Sequence, residues 1–166
     1  DVETIYDPNV EWDNDDLASN LRQVFRAEHP DGQLIVGDLS SVESRGLAFL
    51  AGETWKLDEY REGRDLYISL ASKMFNLLYD SIHKHSPERS AGKVGELSCG
   101  YGAAAAAVLS FAQKMGIDMT EAEAVKLVSD WRAQNPKIVE FWAVLQRLLE
   151  GALAGQGAMY VRDALQ

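Results

Sequence analysis

Residues 86–102 have a spacing of side chains that suits the binding of an anion. Four side chains recur at every fourth position: Arg89, Lys93, Leu97 and Tyr101. On an α-helix such residues form one slowly drifting stripe. The stripe begins with two cations near the helix N-terminus, where the helix dipole normally favours acids, and a phosphate ligand would account for this placement. A solvated face for the two cations and a core position for Tyr101 remain open alternatives.

A second candidate is Asp38, a carboxylate at the end of a predicted buried strand over residues 33–38. Functional groups are often exposed at the ends of such strands, and a helix is predicted to follow. One carboxylate with substrate phosphate oxygens is a typical magnesium site, although an aspartate before a helix can also be a simple N-cap. Together with the cationic helix start, Asp38 suggests a metal and phosphate site made of two parts.

The elements that would position these residues are mostly helices. Capping residues mark their starts: Asp15 or Asp16, Ser40 with Glu43, Asp65, Ser86 before Pro87, Thr120 with Glu123, and Asn135 before Pro136. Gly52 stops the second helix after Ala51, and the helix from Pro87 is expected to continue, with a bend at residues 100–102, as far as Met115.

Other segments have weaker patterns. Residues 53–63 predict a short helical or irregular piece, residues 76–85 a loop, and residues 159–161 a short strand. Four glycines fall within the helix from Pro87: Gly92, Gly95, Gly100 and Gly102. So many glycines in one helix favour the close approach of a ligand or another backbone.

The composition is that of a globular protein. The chain has 166 residues, 46% apolar and 25% charged, which corresponds to one domain or to a piece of a larger one. Its net charge is −10, and residues 1–16 contain seven acids and no base, which predicts an acidic arm. This balance argues against a general polyanion-binding protein, because such binding depends on Lys and Arg. Local cationic sites remain compatible with it.

The cysteine content and the N-terminus predict a location. A single cysteine, Cys99, excludes an internal disulfide and fits a reducing cytoplasm. The acidic N-terminus is unlike a signal or transit peptide. The longest apolar window, residues 103–111, is too short to span a bilayer. We therefore expect a soluble cytoplasmic protein that does not bind membranes.

Several segments resemble the motifs of the family A DNA polymerases, the bacterial polymerase I type, and particularly its phage members. Residues 37–53, GDLSSVESRGLAFLAGE, resemble motif A. The pattern Arg89-x-x-x-Lys93-x-x-x-Leu97-x-x-x-Tyr101-Gly102 resembles motif B on the fingers helix. Residues 63–67 and 131–139 are similar to the segment that opens a fingers helix and to the region after motif B. The resemblance covers residues 20–150 and implies a bacterial or phage-infected cell.

The resemblance implies roles in metal and phosphate binding. Asp38 would bind the two catalytic Mg²⁺ ions, with the Leu39 carbonyl as another ligand. Arg89 and Lys93 would hold the triphosphate of the incoming dNTP. Tyr67 stands where the family often has a phosphate-contacting histidine or tyrosine.

It also implies roles in nucleotide selection. Glu43 would crowd the sugar 2′ position and so select deoxynucleotides. Tyr101 would pack beside the templating base, since stacking on an aromatic ring tolerates any base. Leu97 stands where many relatives carry Phe or Tyr against the nucleotide.

Simpler explanations stay open for several residues. Glu43 can be only the glutamate of a capping box. Arg45 can form a buried ion pair with a neighbouring acid. His83 and His85 fit exposed positions in a polar loop better than a metal site, and Cys99 fits a small packed residue.

The resemblance limits the expected activity. We expect this sequence to lack motif C, which carries the second catalytic aspartate, and the thumb, which grips duplex DNA. Transfer of a nucleotide from dNTP to a primer 3′-hydroxyl, and binding of primer–template DNA, are then expected only with a polypeptide that supplies both. The chain alone would be inactive. The alternative is a non-catalytic module, derived from a polymerase, that binds a nucleotide or a protein.

The predicted fold is α+β and predominantly helical, with one or two palm strands and a fingers-like helical bundle. It divides into an acidic arm at residues 1–16, a partial palm with motif A at 17–64, a fingers-like region with motif B at 65–150, and a tail at 151–166 that could begin the return to the palm. Exposed apolar palm surface would favour a homo-oligomer or a protein partner.

Overall fold

The described part of the molecule is predominantly helical. A computed structural model describes residues 25–29 and 31–155 and divides the chain into two compact units, Asp1–Ser40 and Ser41–Gln166. Seven α-helices lie in the described residues of the second unit: α1 Val42–Ala51, α2 Thr54–Arg61, α3 Leu66–Phe75, α4 Pro87–Cys99, α5 Ala105–Lys114, α6 Glu121–Gln134 and α7 Pro136–Leu153. A short 3-10 turn, Tyr79–Ser81, lies in the loop between α3 and α4.

The strand predicted over residues 33–38 is wrong. The described residues contain no strand, and the side chains of Ile35 and Val36 are 96% and 90% exposed. A strand needs a neighbour that pairs its backbone N–H and C=O groups, and none of the described residues supplies one. Residues 33–38 are irregular, and the fold of the described residues is helical rather than the predicted α+β.

Some predictions concern residues outside the described ranges. These are the acidic arm over residues 1–16, most of the helix predicted from residue 15 or 16, and the short strand at 159–161. The last residues of that predicted helix, 25–29, are not helical. Among the described residues, no helix is both long enough and apolar enough to cross a membrane.

Local capping chemistry fixes three of the helix starts as predicted. The Asp65 carboxylate accepts hydrogen bonds from the backbone N–H groups of Tyr67 and Ile68, at 3.0 and 3.3 Å. Ser86 Oγ accepts from the backbone N–H of Arg89 at 3.2 Å, with Pro87 at the first helical position. A complete capping box joins Thr120 to Glu123 at the start of α6. These bonds satisfy N–H groups that a helix leaves without partners.

Two predicted helix boundaries are wrong. The N-cap of α1 is Ser41, not Ser40, and Ser41 makes no side-chain capping bond, so the capping box with Glu43 does not form. The helix from Pro87 ends at Cys99 instead of continuing to Met115, and α5 begins at Ala105. Gly102 has a φ of 78°, a left-handed conformation that interrupts a helix and favours glycine.

The core of the second unit surrounds α4. Leu70 of α3, Val94 of α4, Trp131 of α6 and Ile138 of α7 are fully buried there. Trp131 stacks on Trp142 of α7 with 5.7 Å between ring centroids and 12° between the ring planes.

Helices α3 and α4 touch through their backbones. A Cβ atom at Gly92 of α4 would lie 2.3 Å from the backbone carbonyl oxygen of Tyr67, so only glycine permits this approach. The prediction of a close backbone contact in this helix is confirmed at Gly92. The contact sets the position of Tyr67 beside α4.

Candidate functional site

Four of the predicted site residues meet in one cleft. The cleft has a volume of about 390 Å³ and lies between α1, α4, Tyr60 of α2 and Tyr67 of α3. It is lined by Ser41, Glu43, Ser44, Leu47, Tyr60, Tyr67, Glu96, Leu97, Gly100 and Tyr101. A larger groove of about 690 Å³ lies between α3, α4 and α6 and contains none of the predicted residues. The smaller cleft is therefore the candidate site.

Glu43 and Tyr101 are joined across the mouth of the cleft. The Tyr101 hydroxyl donates a hydrogen bond to the Glu43 carboxylate, and this bond raises the pKa of Tyr101. The Tyr101 side chain is 69% exposed, so a core position for it is wrong. Glu43 is exposed as well and is not a capping residue. Both groups are available to a ligand in the cleft.

Tyr67 and Leu97 form two walls of this cleft. Tyr67 is half-buried in α3, and burial is the main factor that raises the pKa of its hydroxyl. The hydroxyl is therefore a neutral group at physiological pH, as for an ordinary tyrosine, and can donate a hydrogen bond. Leu97 lies on the exposed side of α4 and gives the cleft an apolar surface.

Arg89 lies outside the cleft and already has partners. Its Nε and Nη2 atoms lie 2.8 and 2.7 Å from Oδ2 of Asp65, and its Nη1 donates to the Lys84 carbonyl at 3.2 Å. Its guanidinium lies 5.3 Å from the centroid of the Tyr67 ring. Arg89 is therefore not a solvated side chain, and an anion that binds it must share it with Asp65.

Lys93 is the second cation of the stripe and is less constrained. It is half-buried on α4, between Arg89 and Leu97. Within the described part of the chain, its ammonium group has no hydrogen-bond or ion-pair partner. No described residue therefore competes with an anionic ligand for the charge of Lys93.

A buried ion pair, in which Glu96 lines the cleft and Lys56 does not, was missed by the sequence analysis. Nζ of Lys56 lies 2.8 Å from Oε1 and 2.7 Å from Oε2 of Glu96, and both side chains are almost completely buried. Ser44 Oγ donates to Glu96 Oε1 at 2.5 Å, and Trp131 Nε1 donates to Oε2 at 3.2 Å. Burial lowers the pKa of Lys56, and the Glu96 charge opposes this shift.

One sequence signal could have pointed to this pair. Glu96 is the only charged residue among the small and apolar residues 94–99 of a helix. An isolated charge in such a run must lie either on the exposed face or beside a buried partner. No sequence rule identifies Lys56 as that partner, because the two residues belong to different helices.

The remaining candidates have ordinary environments. Arg45 is exposed, and its guanidinium lies 4.1 Å from the centroid of the Tyr60 ring, so a buried ion pair is wrong for it. His83 and His85 are exposed, as predicted. Cys99 is buried, and burial raises the pKa of its thiol to about 11. Cys99 is therefore a packed residue, as predicted, and not a nucleophile.

Asp38 and Leu39 lie in the first unit. Both residues are exposed in an irregular segment, and Asp38 is not the N-cap of α1. An accessible carboxylate and a neighbouring backbone carbonyl are hard oxygen donors of the kind that Mg²⁺ prefers. Among the described residues, no group of three or more His, Cys, Asp or Glu side chains is arranged to hold a metal. These donors fit magnesium when further ligands come from elsewhere.

Comparisons with known proteins agree on one family. Residues 7–152 match the model of DNA polymerase family A. The chain is 41% identical over 111 residues to the DNA polymerase of Bacillus phage SP02. The aligned region covers 66% of this chain and 17% of that polymerase. It is 34% identical over 134 residues to the thermostable DNA polymerase I of Thermus filiformis, covering 81% of this chain and 15% of that protein. The matched region is thus less than a fifth of each relative.

Proposed function

Because the chain belongs to DNA polymerase family A, we propose that it forms the site for the incoming dNTP in a DNA-directed DNA polymerase. The observation that carries the proposal is the convergence of Glu43, Tyr67, Leu97 and Tyr101 on one cleft. These residues come from α1, α3, α4 and the turn after α4. Residues so far apart in the sequence can share a cleft either because their helices are arranged around a common ligand or because of chance packing. The match to the polymerase family favours the common ligand.

The two cations of α4 are proposed to hold the triphosphate. Lys93 has no described partner and lies one helical turn before Leu97, so it is the stronger candidate. Arg89 is proposed to contribute by exchanging part of its contact with Asp65 for a phosphate oxygen. Arginine suits such an exchange because its planar group presents several donors at once. Tyr67, beside the Arg89 guanidinium, would add a neutral hydroxyl donor.

The sugar and base are proposed to contact the opposite side of the cleft. Glu43 would occupy the space that a ribose 2′-hydroxyl needs and would disfavour ribonucleotides. Leu97 would press against the nucleotide, and Tyr101 would stack beside the templating base. The bond between Tyr101 and Glu43 is proposed to loosen when a dNTP enters, since both groups would then contact the nucleotide.

Asp38 and the Leu39 carbonyl are proposed to hold magnesium. Bound Mg²⁺ would activate a primer 3′-hydroxyl and stabilise the leaving pyrophosphate. The chain's own residues would bind and orient the triphosphate for this attack. Complete nucleotidyl transfer would also need a second metal-binding carboxylate and a surface that grips duplex DNA. We propose that both come from polypeptide beyond this sequence and that these 166 residues alone do not catalyse the reaction.

Nucleotide binding tests the proposal directly. We expect the chain to bind a dNTP with Mg²⁺, and Lys93→Ala to weaken the affinity about tenfold, since an uncompensated charge contact to phosphate is lost. Lys114→Ala is the matched control, because Lys114 is an exposed lysine on α5 and does not belong to the stripe of α4. Its affinity should stay within about twofold of the wild type. Equal effects of the two variants, or no binding by the wild type, would reject the proposed site.

Primer extension then separates the two functional hypotheses. The chain is mixed with a polypeptide that carries motif C and a thumb, and extension of a labelled primer is followed with Mg²⁺. Extension that disappears in Asp38→Ala supports the polymerase role. Primers that stay unextended after long incubation, together with measurable dNTP binding, would instead favour the non-catalytic nucleotide-binding module.

A further inference from the structure

Glu96 lines the cleft and connects four helices. Its carboxylate, on α4, accepts hydrogen bonds from Ser44 of α1, Lys56 of α2 and Trp131 of α6. Both carboxylate oxygens are used, and Glu96 is only 5% exposed. The resemblance to known motifs assigned no role to this residue. Burying the charges of Glu96 and Lys56 costs desolvation energy, so the arrangement calls for an explanation.

Stability alone is a poor explanation for this ion pair. Removing two charges from water costs as much as their attraction returns, so a buried pair often stabilises a fold no better than two apolar side chains of similar volume. A buried polar group instead fixes a geometry, because its partners must stay within hydrogen-bond distance to avoid an unpaired charge. The constraint here acts on the helices that carry Ser44 and Glu96.

Those two helices form the walls of the cleft. Ser44 follows Glu43 in the sequence, and Glu96 precedes Leu97. The bond from Ser44 Oγ to Glu96 Oε1 therefore sets the spacing between the wall that carries Glu43 and the wall that carries Leu97. Lys56 holds the carboxylate in place from the other side.

We propose that Glu96 is the positioning residue of the cleft, and that its carboxylate, held by Lys56, ties α1 to α4 at the spacing that a dNTP needs. The ligand in this statement rests on the proposed function, whereas the tie between the helices does not. Helix α1 has only ten residues and would be marginal without such support. Its backbone hydrogen exchange is therefore a direct measure of the tie.

The test removes the tie in two ways. The double variant Lys56→Met with Glu96→Leu replaces the pair by apolar side chains, and Ser44→Ala removes only the bond to α1. We expect both variants to melt within a few degrees of the wild type, since no charge is left buried without its partner. Exchange of the α1 amides should rise about tenfold in the double variant and about threefold in Ser44→Ala. Exchange in α5 should not change.

The control and the ligand measurement make the result specific. Ser90→Ala removes a serine hydroxyl that bonds to the Ser86 carbonyl within the same region of α4, and it should leave α1 exchange unchanged. The dNTP dissociation constant should rise about tenfold in the double variant despite its normal melting temperature.

Unchanged α1 exchange in both Ser44→Ala and the double variant would overturn the proposal. The proposal would also be overturned if the double variant kept both the stability and the dNTP affinity of the wild type. The ion pair would then serve only to pack the core. If the wild-type chain binds no dNTP, the proposed function fails, and hydrogen exchange in the absence of nucleotide still decides whether Glu96 ties the two helices.

Discussion

The two ends of α4 carry ion pairs of nearly equal length in opposite surroundings. Arg89 and Asp65 lie 2.7 Å apart with side chains 18% and 30% exposed, and Lys56 and Glu96 also lie 2.7 Å apart with side chains 1% and 4% exposed. Water can replace a partner in the first pair but not in the second. The first pair can therefore exchange its carboxylate for a ligand, whereas the second can only hold its helices together.

The largest expected effect comes from breaking the buried pair on one side. Lys56→Met leaves the Glu96 carboxylate buried without its cation, and we expect the free energy of unfolding to fall by about 3–5 kcal/mol. Denaturant unfolding measures the loss. Lys114→Met, at an exposed position, is the matched control and should change stability by less than about 0.5 kcal/mol. A loss below about 1 kcal/mol for Lys56→Met would show that the two pairs do not differ as described.

The pH dependence of stability tests the burial of the Cys99 thiol, which lies in the same interior as the Lys56–Glu96 pair. Burial raises its pKa from the ordinary 9.0 to about 11, so between these values the folded chain keeps a proton that the unfolded chain loses. Stability should therefore decrease as pH rises through this window, by about 1.4 kcal/mol per pH unit. Because other groups titrate there too, the measurement is the difference in slope between the wild type and Cys99→Ala. Equal slopes would contradict a buried, uncharged thiol.

A change at Gly92 probes the backbone contact between the two helices that carry the partly exposed pair of Asp65 and Arg89. Gly92→Ala would force a Cβ against the Tyr67 carbonyl, and we expect α3 and α4 to separate slightly at a cost of about 1–3 kcal/mol. Gly46→Ala on α1 is the control, since a Cβ there meets no atom within 4 Å. It should stabilise the chain by about 0.5–1 kcal/mol, because alanine is the better helix former. Thermal unfolding of both variants gives the comparison, and similar shifts would contradict it.

The smallest effects are expected at the more exposed ion pairs, Arg89 with Asp65 and Arg61 with Asp58. Arg89→Met should cost about 0.5–1 kcal/mol, and the difference from the wild type should shrink at high salt. Arg61→Met breaks a pair with Asp58 that is exposed on both sides, and it should cost less than Arg89→Met. Chemical unfolding at low and high salt measures both changes. A salt-independent loss of more than about 2 kcal/mol at Arg89 would place that pair in the same class as Lys56 and Glu96.

Rules that act within a few residues predicted much of the helical part. Asp65, Ser86 and Thr120 cap their helices through bonds to N–H groups two or three residues away, so the sequence alone contains the signal. The error at Ser40 and Glu43 arose because Glu43 has a distant partner, Tyr101, which no local pattern reveals. The break at Gly102 depends on a single left-handed residue and was predicted only as a bend.

Features that need two distant segments could not be predicted in the same way. Residues 33–38 have the composition of a strand, but a strand forms only where a second one pairs with it. The match to known motifs named four residues that line the cleft, Glu43, Tyr67, Leu97 and Tyr101, but did not give their arrangement. It also named Arg89 and Lys93, which are not among the lining residues. Lys56 and Glu96 were overlooked because charged side chains are usually exposed, and their burial depends on how α2, α4 and α6 pack together.

The stacked indoles of Trp131 and Trp142 have a practical consequence for spectroscopy. Their rings are nearly parallel, and the N–H group of Trp131 is bonded to Glu96. Electronic coupling between two such rings gives a paired circular-dichroism band that depends on their separation and angle, and the emission of Trp131 depends on the charge beside its indole. Because the chain has four tryptophans, the circular-dichroism band of the stacked pair is a more specific report on the packing beside Glu96 than the total fluorescence, and it needs no attached dye.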